Sequence, residues 1–412
     1  MAEYLIIGNG VAAAGCIEGI RSVDTESPVT VISAEPYPVY SRPLISYYLE
    51  GKTDTQRMNY RPADFYEKNK VKLIYGKAEK LDPKSSTVTL SDKTKLKYDK
   101  LCLCTGSSPF VPKFEGLDTV KKKFSFMTLD DSLALEKALT KKSRVLIVGA
   151  GLIGLKCAEG IKDRAGSVAV CDLADRVLSS ILDPDCAAVM QKHLEKNGIS
   201  FMLGDTAVKF EGNKAFMKSG AEVDFDILVL AVGVRAETAL AVQAGCEVDR
   251  GIIIDEKMQT AHEGIFAAGD CSEGYDSSTD TKRVLAILPN AYMQGRTAGI
   301  NMAGGDALIT DAIPMNSIGF FGLHCATAGA YPEGSEIIED MGEASVRRLY
   351  IKDGRLAGYI IIGDVNRAGV YTSLVREKTS LDSLNKDELV RSPSLALFSA
   401  ETRKQKLGGA VK

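Results

Sequence analysis

Two glycine-rich phrases carry the clearest chemistry in this chain. "IIGNGVAAAGCIEGI" covers Ile6 to Ile20, and "IVGAGLIGLKCAEGI" covers Ile147 to Ile161. Aligned at constant spacing, Gly8, Gly10, Cys16, Glu18, Gly19 and Ile20 recur as Gly149, Gly151, Cys157, Glu159, Gly160 and Ile161. One supersecondary unit is used twice. Each copy follows a short apolar strand, Tyr4–Ile7 or Arg144–Val148, and opens an Ala/Leu-rich helix. In such a turn the first glycine permits the tight bend and the second lets the backbone approach a pyrophosphate. A small third residue, here Ala13 or Gly154, lets the helix pack closely on its strand. The phosphate charge then sits among unpaired N–H groups at the positive end of the helix.

A lone turn of this kind serves packing as readily as binding, so its surroundings matter. "PVTVISAE" reads as a second strand ending at Glu35, and "SVAVCD" as its counterpart ending at Asp172. A carboxylate there accepts hydrogen bonds from an adenosine ribose and repels a 2′-phosphate. Asp172 therefore favours NAD(H) over NADP(H) at the second turn, although Arg176 follows four residues on. Three more buried-strand patterns end in small residues: "LCLCTGSSP" at Thr105 and Gly106, "ILVLAVGVRAE" at Gly233, and "GIFAAGD" at Gly269 and Asp270.

In this order the motifs resemble the FAD-dependent pyridine nucleotide (disulfide) oxidoreductase superfamily, over roughly residues 1–310. The resemblance implies FAD on the first turn and NADH on the second. It implies that Glu35 holds the FAD adenosine ribose and that Asp270 contacts the ribitol or pyrophosphate. Thr105 and Gly106 would line the FAD domain, and Gly233 would lie near NAD. Leu288 and Pro289, opening the helix-like segment Arg283–Gly304, would face the isoalloxazine. Ala78, Ile153 and Gly269 complete the expected cofactor-binding set. The implied fold class is α/β, with two Rossmann-like dinucleotide-binding domains and a small C-terminal α+β domain. The FAD domain would be discontinuous, 1–112 joined by 250–310, with an NAD domain at 113–249 and the C-terminal unit at 311–412. That last unit reads as alternating strands, a hairpin around Asp353-Gly354 and a helix, with a polar tail "RKQKLGGAVK".

"YSRPLISYYLEG", "GLIGLKCAEGI", "LADRVLSSILDPD" and "GFFGL" narrow the resemblance. They look like the branch of NADH:rubredoxin oxidoreductases and the flavin part of NADH-dependent nitrite reductases. Thiol-using branches carry a reactive cysteine after the second strand. Here that region reads Tyr40, Ser41, Arg42, Pro43, Leu44, with no cysteine. A thiolate is the nucleophile such chemistry needs. Electrons must then leave the flavin directly, most simply to an external one-electron acceptor. Ser41, Arg42 and Pro43 are expected to close over FAD. Arg42 either pairs with the pyrophosphate or is a solvated arginine before a proline turn. Lys156, the candidate catalytic residue, stands where many superfamily members have Glu. It either stabilises charge on reduced flavin or pairs with a nearby carboxylate.

Bulk properties bound the partners. The chain has 412 residues, 45% hydrophobic and 25% charged, which suits a soluble globular protein of two or three domains. A net charge of -3 gives no reason to expect nucleic acid, and no apolar run is long enough for membrane insertion. "MAEYLIIGNG" has no basic leader, which points to the cytoplasm. None of the nine cysteines forms C-x-x-C. Cys102 and Cys104 should share one core face, Cys16 and Cys157 lie on apolar helix faces, and Cys171 lies in a strand. Cys271 and the pair His324–Cys325 read as core or loop residues, and His193 and His262 as polar-loop residues. No metal site is expected. The implied partner is a redox protein or iron–sulfur subunit of rubredoxin or ferredoxin type, with the C-terminal unit a possible homodimer surface. Two other readings stand beside this one: an NADH oxidase or small-molecule reductase, and an FAD-bound assembly subunit of a larger oxidoreductase complex.

Overall fold

The structure is a computed structural model that describes residues 2–382, 384–400 and 403–404. It is an α/β fold with two parallel sheets, each built around one of the glycine turns. The first sheet has the strand order Ile265–Ala267, Lys100–Leu103, Tyr4–Ile7, Val29–Ser33, Val71–Tyr75. The second has the order Ile199–Leu203, Ser167–Asp172, Arg144–Val148, Ile227–Leu230, Lys123–Phe124. The strand after which each turn opens is central and covered on both faces. That is why "YLII" and "VLIV" are continuous apolar runs rather than alternating ones.

The helix Val11–Arg21 packs along Leu288–Met302 at backbone distance. A Cβ on Gly15 would lie 2.4 Å from the Tyr292 carbonyl, and one on Gly295 would lie 1.9 Å from that of Ala12. Side chains at these positions would force the two helices apart, and with them the two ends of the first domain. Of the segment Arg283–Gly304 expected to be helical, Leu288–Met302 is. Thr281–Arg283 is instead a strand that pairs with Ser272–Asp276.

The C-terminal unit is a five-stranded antiparallel sheet in the order Met315–Phe320, Leu323–Gly329, Arg355–Ile362, Val346–Lys352, Glu336–Met341. Asp353 and Gly354 have φ of +50° and +67°, the left-handed pair that a two-residue hairpin turn requires. One face of the sheet buries Leu349 and Ile361 with Tyr371, Leu374 and Leu389 of the helices Ala368–Arg376 and Lys386–Arg391. Phe320, Cys325 and Ile360 instead join the core of the second parallel sheet, together with Leu155, Ile161 and Cys186. The same core takes in Tyr40, Ile45 and Leu49 from the cysteine-free segment of the first domain. Of the tail expected at 403–412, only 403 and 404 are among the described residues.

His193 is not in a loop. It lies in the helix Pro184–Lys196, and its Nε2 is 3.0 Å from the Phe320 carbonyl. Among the described residues no helix is long and apolar enough to cross a membrane.

Candidate active site

Gly8 turns the chain with φ +106°, and a Cβ there would lie 2.0 Å from the Cys104 carbonyl. Only glycine fits. Gly10, the N-cap of Val11–Arg21, has an ordinary φ of -93°, and a Cβ built on it meets nothing within 4 Å. The second glycine is thus kept for open space rather than for backbone conformation. That space belongs to a cleft lined by Gly8, Gly10, Glu35, Arg42, Thr105, Gly106, Gly269, Asp270 and Leu288.

The polar side chains of the cleft hold one another. Arg42 forms an ion pair with Glu35, and its second nitrogen donates to the Met127 carbonyl at 3.0 Å. Tyr40 donates to the other Glu35 oxygen at 2.6 Å and accepts from the Leu129 amide at 3.0 Å. Burial opposes the charge on Arg42, but Tyr40, Glu35 and Asp270 outweigh it and hold the guanidinium pKa above its usual value. Asp270 is shifted the other way for a carboxyl: burial raises its pKa, against the pull of Arg42 and Ser107. Gly269, at φ +82°, donates its amide to Gln294 at 2.9 Å, which fixes the turn that presents Asp270.

Several expected residues lie outside the cleft lining. Ala13 is fully buried beneath the turn. Ser41 donates its amide to Met58, and Pro43 caps the helix Leu44–Leu49. Pro289 lies in the first turn of its helix, and Ala78 opens the strand Ala78–Asp82. Conversely, the cleft is also lined by Asn9, Tyr37 and Ser107. Asn9 donates to the Tyr37 carbonyl at 3.2 Å and accepts from Tyr66 at 2.7 Å. Its place inside the first glycine phrase was the available signal.

The second turn repeats the geometry. Gly149 has φ +118°, and a Cβ there would lie 2.2 Å from the Ala231 carbonyl, while Gly151 again faces open space. Gly154 lies against Gly149, its Cβ position 2.0 Å from that carbonyl, and Ile153 is half-buried beside it. Asp172 accepts the Ala150 amide at 2.6 Å and the Ala174 amide at 2.8 Å. A carboxylate has about four acceptor sites, so two are left for a ligand. Gly233 has φ +121° and open space at its Cβ position.

Lys156, on the helix Leu152–Ile161, is paired with Glu159 and donates to the Gly319 carbonyl at 3.2 Å. Of the two roles open to it, pairing with a carboxylate is therefore the one observed. Glu159 was visible in the repeated phrase, and its place three residues after Lys156 on one helix was the available signal for the pair.

All nine cysteines are buried and free. Cys102 and Cys104 share a face, with their sulfurs 3.5 Å apart. Burial pushes the Cys271 thiol up to about 11 and the Cys325 thiol up to about 12. Cys271 donates to the Leu103 carbonyl at 3.2 Å. Thiols in this state are protonated at neutral pH and make poor nucleophiles. No three His, Cys, Asp or Glu side chains among the described residues are grouped to hold a metal.

Two turns with unpaired helix amides, each facing open space and each followed by an acid, match a protein that binds two dinucleotides. Residues 2–295 match the family described as pyridine nucleotide-disulphide oxidoreductase. The chain belongs to that family. The family binds FAD and NAD(H), and its members related to this chain are NAD(P)H-dependent flavin oxidoreductases. The chain is 33% identical to the NADH-dependent phenylglyoxylate dehydrogenase subunit epsilon of Aromatoleum evansii, covering 93% of both chains. It is 30% identical to an NADH oxidase of Methanocaldococcus jannaschii, covering 95% of both. It also has the fold of the NADH:rubredoxin oxidoreductase from Clostridium acetobutylicum, with a TM-score of 0.76 and 23% identity over 92% of this chain and 96% of that one. The family name refers to disulphide chemistry, yet this member offers no exposed thiol.

Proposed function

We propose that the chain takes electrons from NADH onto FAD and passes them to a redox protein or iron–sulfur partner subunit, without a redox-active cysteine. The burial of all nine cysteines beside an intact pair of dinucleotide turns carries this reading. Bound FAD accepts a hydride and returns electrons singly, which is the cofactor's own chemistry. The residues supply position. Gly8 and Gly10, with the amides of the following helix, receive the FAD pyrophosphate. Glu35 offers its carboxylate to the adenosine ribose, and Arg42 shares its charge between Glu35 and the pyrophosphate. Asp270 accepts from the ribitol, and Leu288 covers the ring. Gly149, Gly151 and Gly154 receive NADH, with its ribose on Asp172.

The proposed boundaries are 1–112 with 250–310 for the FAD domain, 113–249 for the NAD domain and 311–412 for the C-terminal domain. The same proposal makes the chain a cytoplasmic protein with a rubredoxin- or ferredoxin-type acceptor. A homodimer through the C-terminal domain is part of the same proposal. The likeness to an NADH oxidase favours one competing reading, in which oxygen is the acceptor.

The test is anaerobic reduction of the FAD-loaded protein by NADH, followed by mixing with an iron–sulfur protein, oxygen or a disulfide. The proposal expects fastest reoxidation by the iron–sulfur protein. Fastest reoxidation by oxygen selects the oxidase, and fast disulfide turnover contradicts both.

A further inference from the structure

Three consecutive residues at one hairpin tip of the C-terminal domain are gripped by side chains of the second domain. The Gly319 carbonyl accepts Lys156 Nζ at 3.2 Å. The Phe320 carbonyl lies 3.0 Å from His193 Nε2. The Phe321 amide donates to Glu159 Oε1 at 2.6 Å. The tip itself turns through Phe321 and Gly322, with φ of +47° and +84°.

Lys156 is the centre of this grip. Its ammonium pairs with the second Glu159 oxygen and lies 4.6 Å from the centroid of the Tyr47 ring and 5.6 Å from that of Phe320. Tyr47 belongs to the helix Leu44–Leu49 of the first domain. One ammonium therefore touches all three parts of the molecule. The Lys156 and Glu159 side chains are only 12% and 7% exposed. A charge withdrawn this far from water depends on its partners being in place. Glu159 divides its two oxygens between them, one for Lys156 and one for the hairpin tip. Lys156 also follows Gly154 by two residues on the helix whose first turn opens the second dinucleotide site.

We propose that Glu159 is a positioning residue for reduction of the flavin by NADH. It holds the Lys156 ammonium at the junction of the two dinucleotide halves, and through Phe321 it makes the C-terminal hairpin part of that seat. A fixed charge needs no reorganisation when the two rings meet, whereas a mobile one does. This inference rests on the NADH-to-flavin reading above and extends it to a residue outside both glycine turns.

The experiment is anaerobic stopped-flow reduction of FAD-loaded protein over a range of NADH concentrations, for wild type, Glu159→Gln, Lys156→Met and the double variant. Glu159→Gln keeps the side-chain shape and an acceptor for the Phe321 amide, so it removes the counter-charge rather than the fold. Each single variant should lower the limiting reduction rate about tenfold. FAD content, NADH Kd and reduction by dithionite should stay near wild type. The double variant should be no slower than the slower single one, because the two residues act as a unit. A wild-type limiting rate in Glu159→Gln overturns the proposal, as do losses that multiply in the double variant or that appear only as lost FAD. If NADH fails to bleach the wild-type flavin, the functional reading itself fails, and this is distinguishable because dithionite still bleaches it.

Discussion

The Asp172 carboxylate accepts the Ala150 amide at 2.6 Å, so the acid that ends one strand braces the glycine turn that ends its neighbour. Its other oxygen takes the Ala174 amide. The residue that would select the nicotinamide cofactor therefore also shapes the loop that would receive it. Hydrogen bonds to a charged group contribute about 1.5–3 kcal/mol each. Asp172→Ala should raise the NADH KM by about tenfold or more and narrow the preference over NADPH. FAD content should be unchanged. Steady-state kinetics with both nucleotides checks this.

The two glycines of the first turn should fail differently when replaced. Gly8→Ala drives a methyl into the Cys104 carbonyl at a backbone angle that alanine avoids, so loss of folded protein is expected. Gly10→Ala meets no protein atom. It should fold normally and lose FAD affinity, because its methyl occupies the space reserved for the pyrophosphate. Thermal melting of the FAD-free proteins, set beside FAD titration, separates the two outcomes.

These contrasts show what the sequence could and could not reveal. The strands Tyr4–Ile7 and Arg144–Val148 were legible because parallel strands covered on both faces are unbroken apolar runs. The antiparallel ladders Ala78–Asp82 with Thr87–Leu90 and Ala207–Glu211 with Lys214–Met217 were not. Their faces are partly exposed and rich in Lys, Glu and Thr, so apolar periodicity is faint. The Ser107–Pro109 and Val234–Ala236 ladder, which crosses between the two sheets, is too short and too distant in sequence to signal itself. At the site, the glycines and acids were legible because each answers a local demand of the turn. Arg42 meets Glu35 through the packing of a loop against the strand end, whereas Lys156 and Glu159 stand three residues apart on one helix, a spacing the sequence already shows. For Lys156 the sequence left two roles open, and only the fold brings in Gly319 and Tyr47.

Asp270 gives a pH dependence. Burial raises its carboxyl pKa in the folded protein. The fold therefore favours the protonated form, and the relative stability this brings is full below the unfolded carboxyl value and lost as pH rises through the raised one. At neutral pH the buried carboxylate is a cost to the FAD-free protein. Asp270→Asn should raise the melting temperature of FAD-free protein at about pH 7 and have little effect at about pH 3. Its affinity for FAD should fall, since an amide is a weaker acceptor than a carboxylate. Melting curves across that pH range check the sign.

The absence of a working thiol is the centre of the account, and electron counting tests it most directly. FAD-loaded protein is titrated anaerobically with dithionite until the flavin and any further centre are fully reduced. Uptake of about two electrons per FAD is expected, with no band from a thiolate–flavin charge-transfer pair. Uptake of about four electrons per FAD, with such a band at the halfway point, would reveal a redox-active cysteine and contradict it.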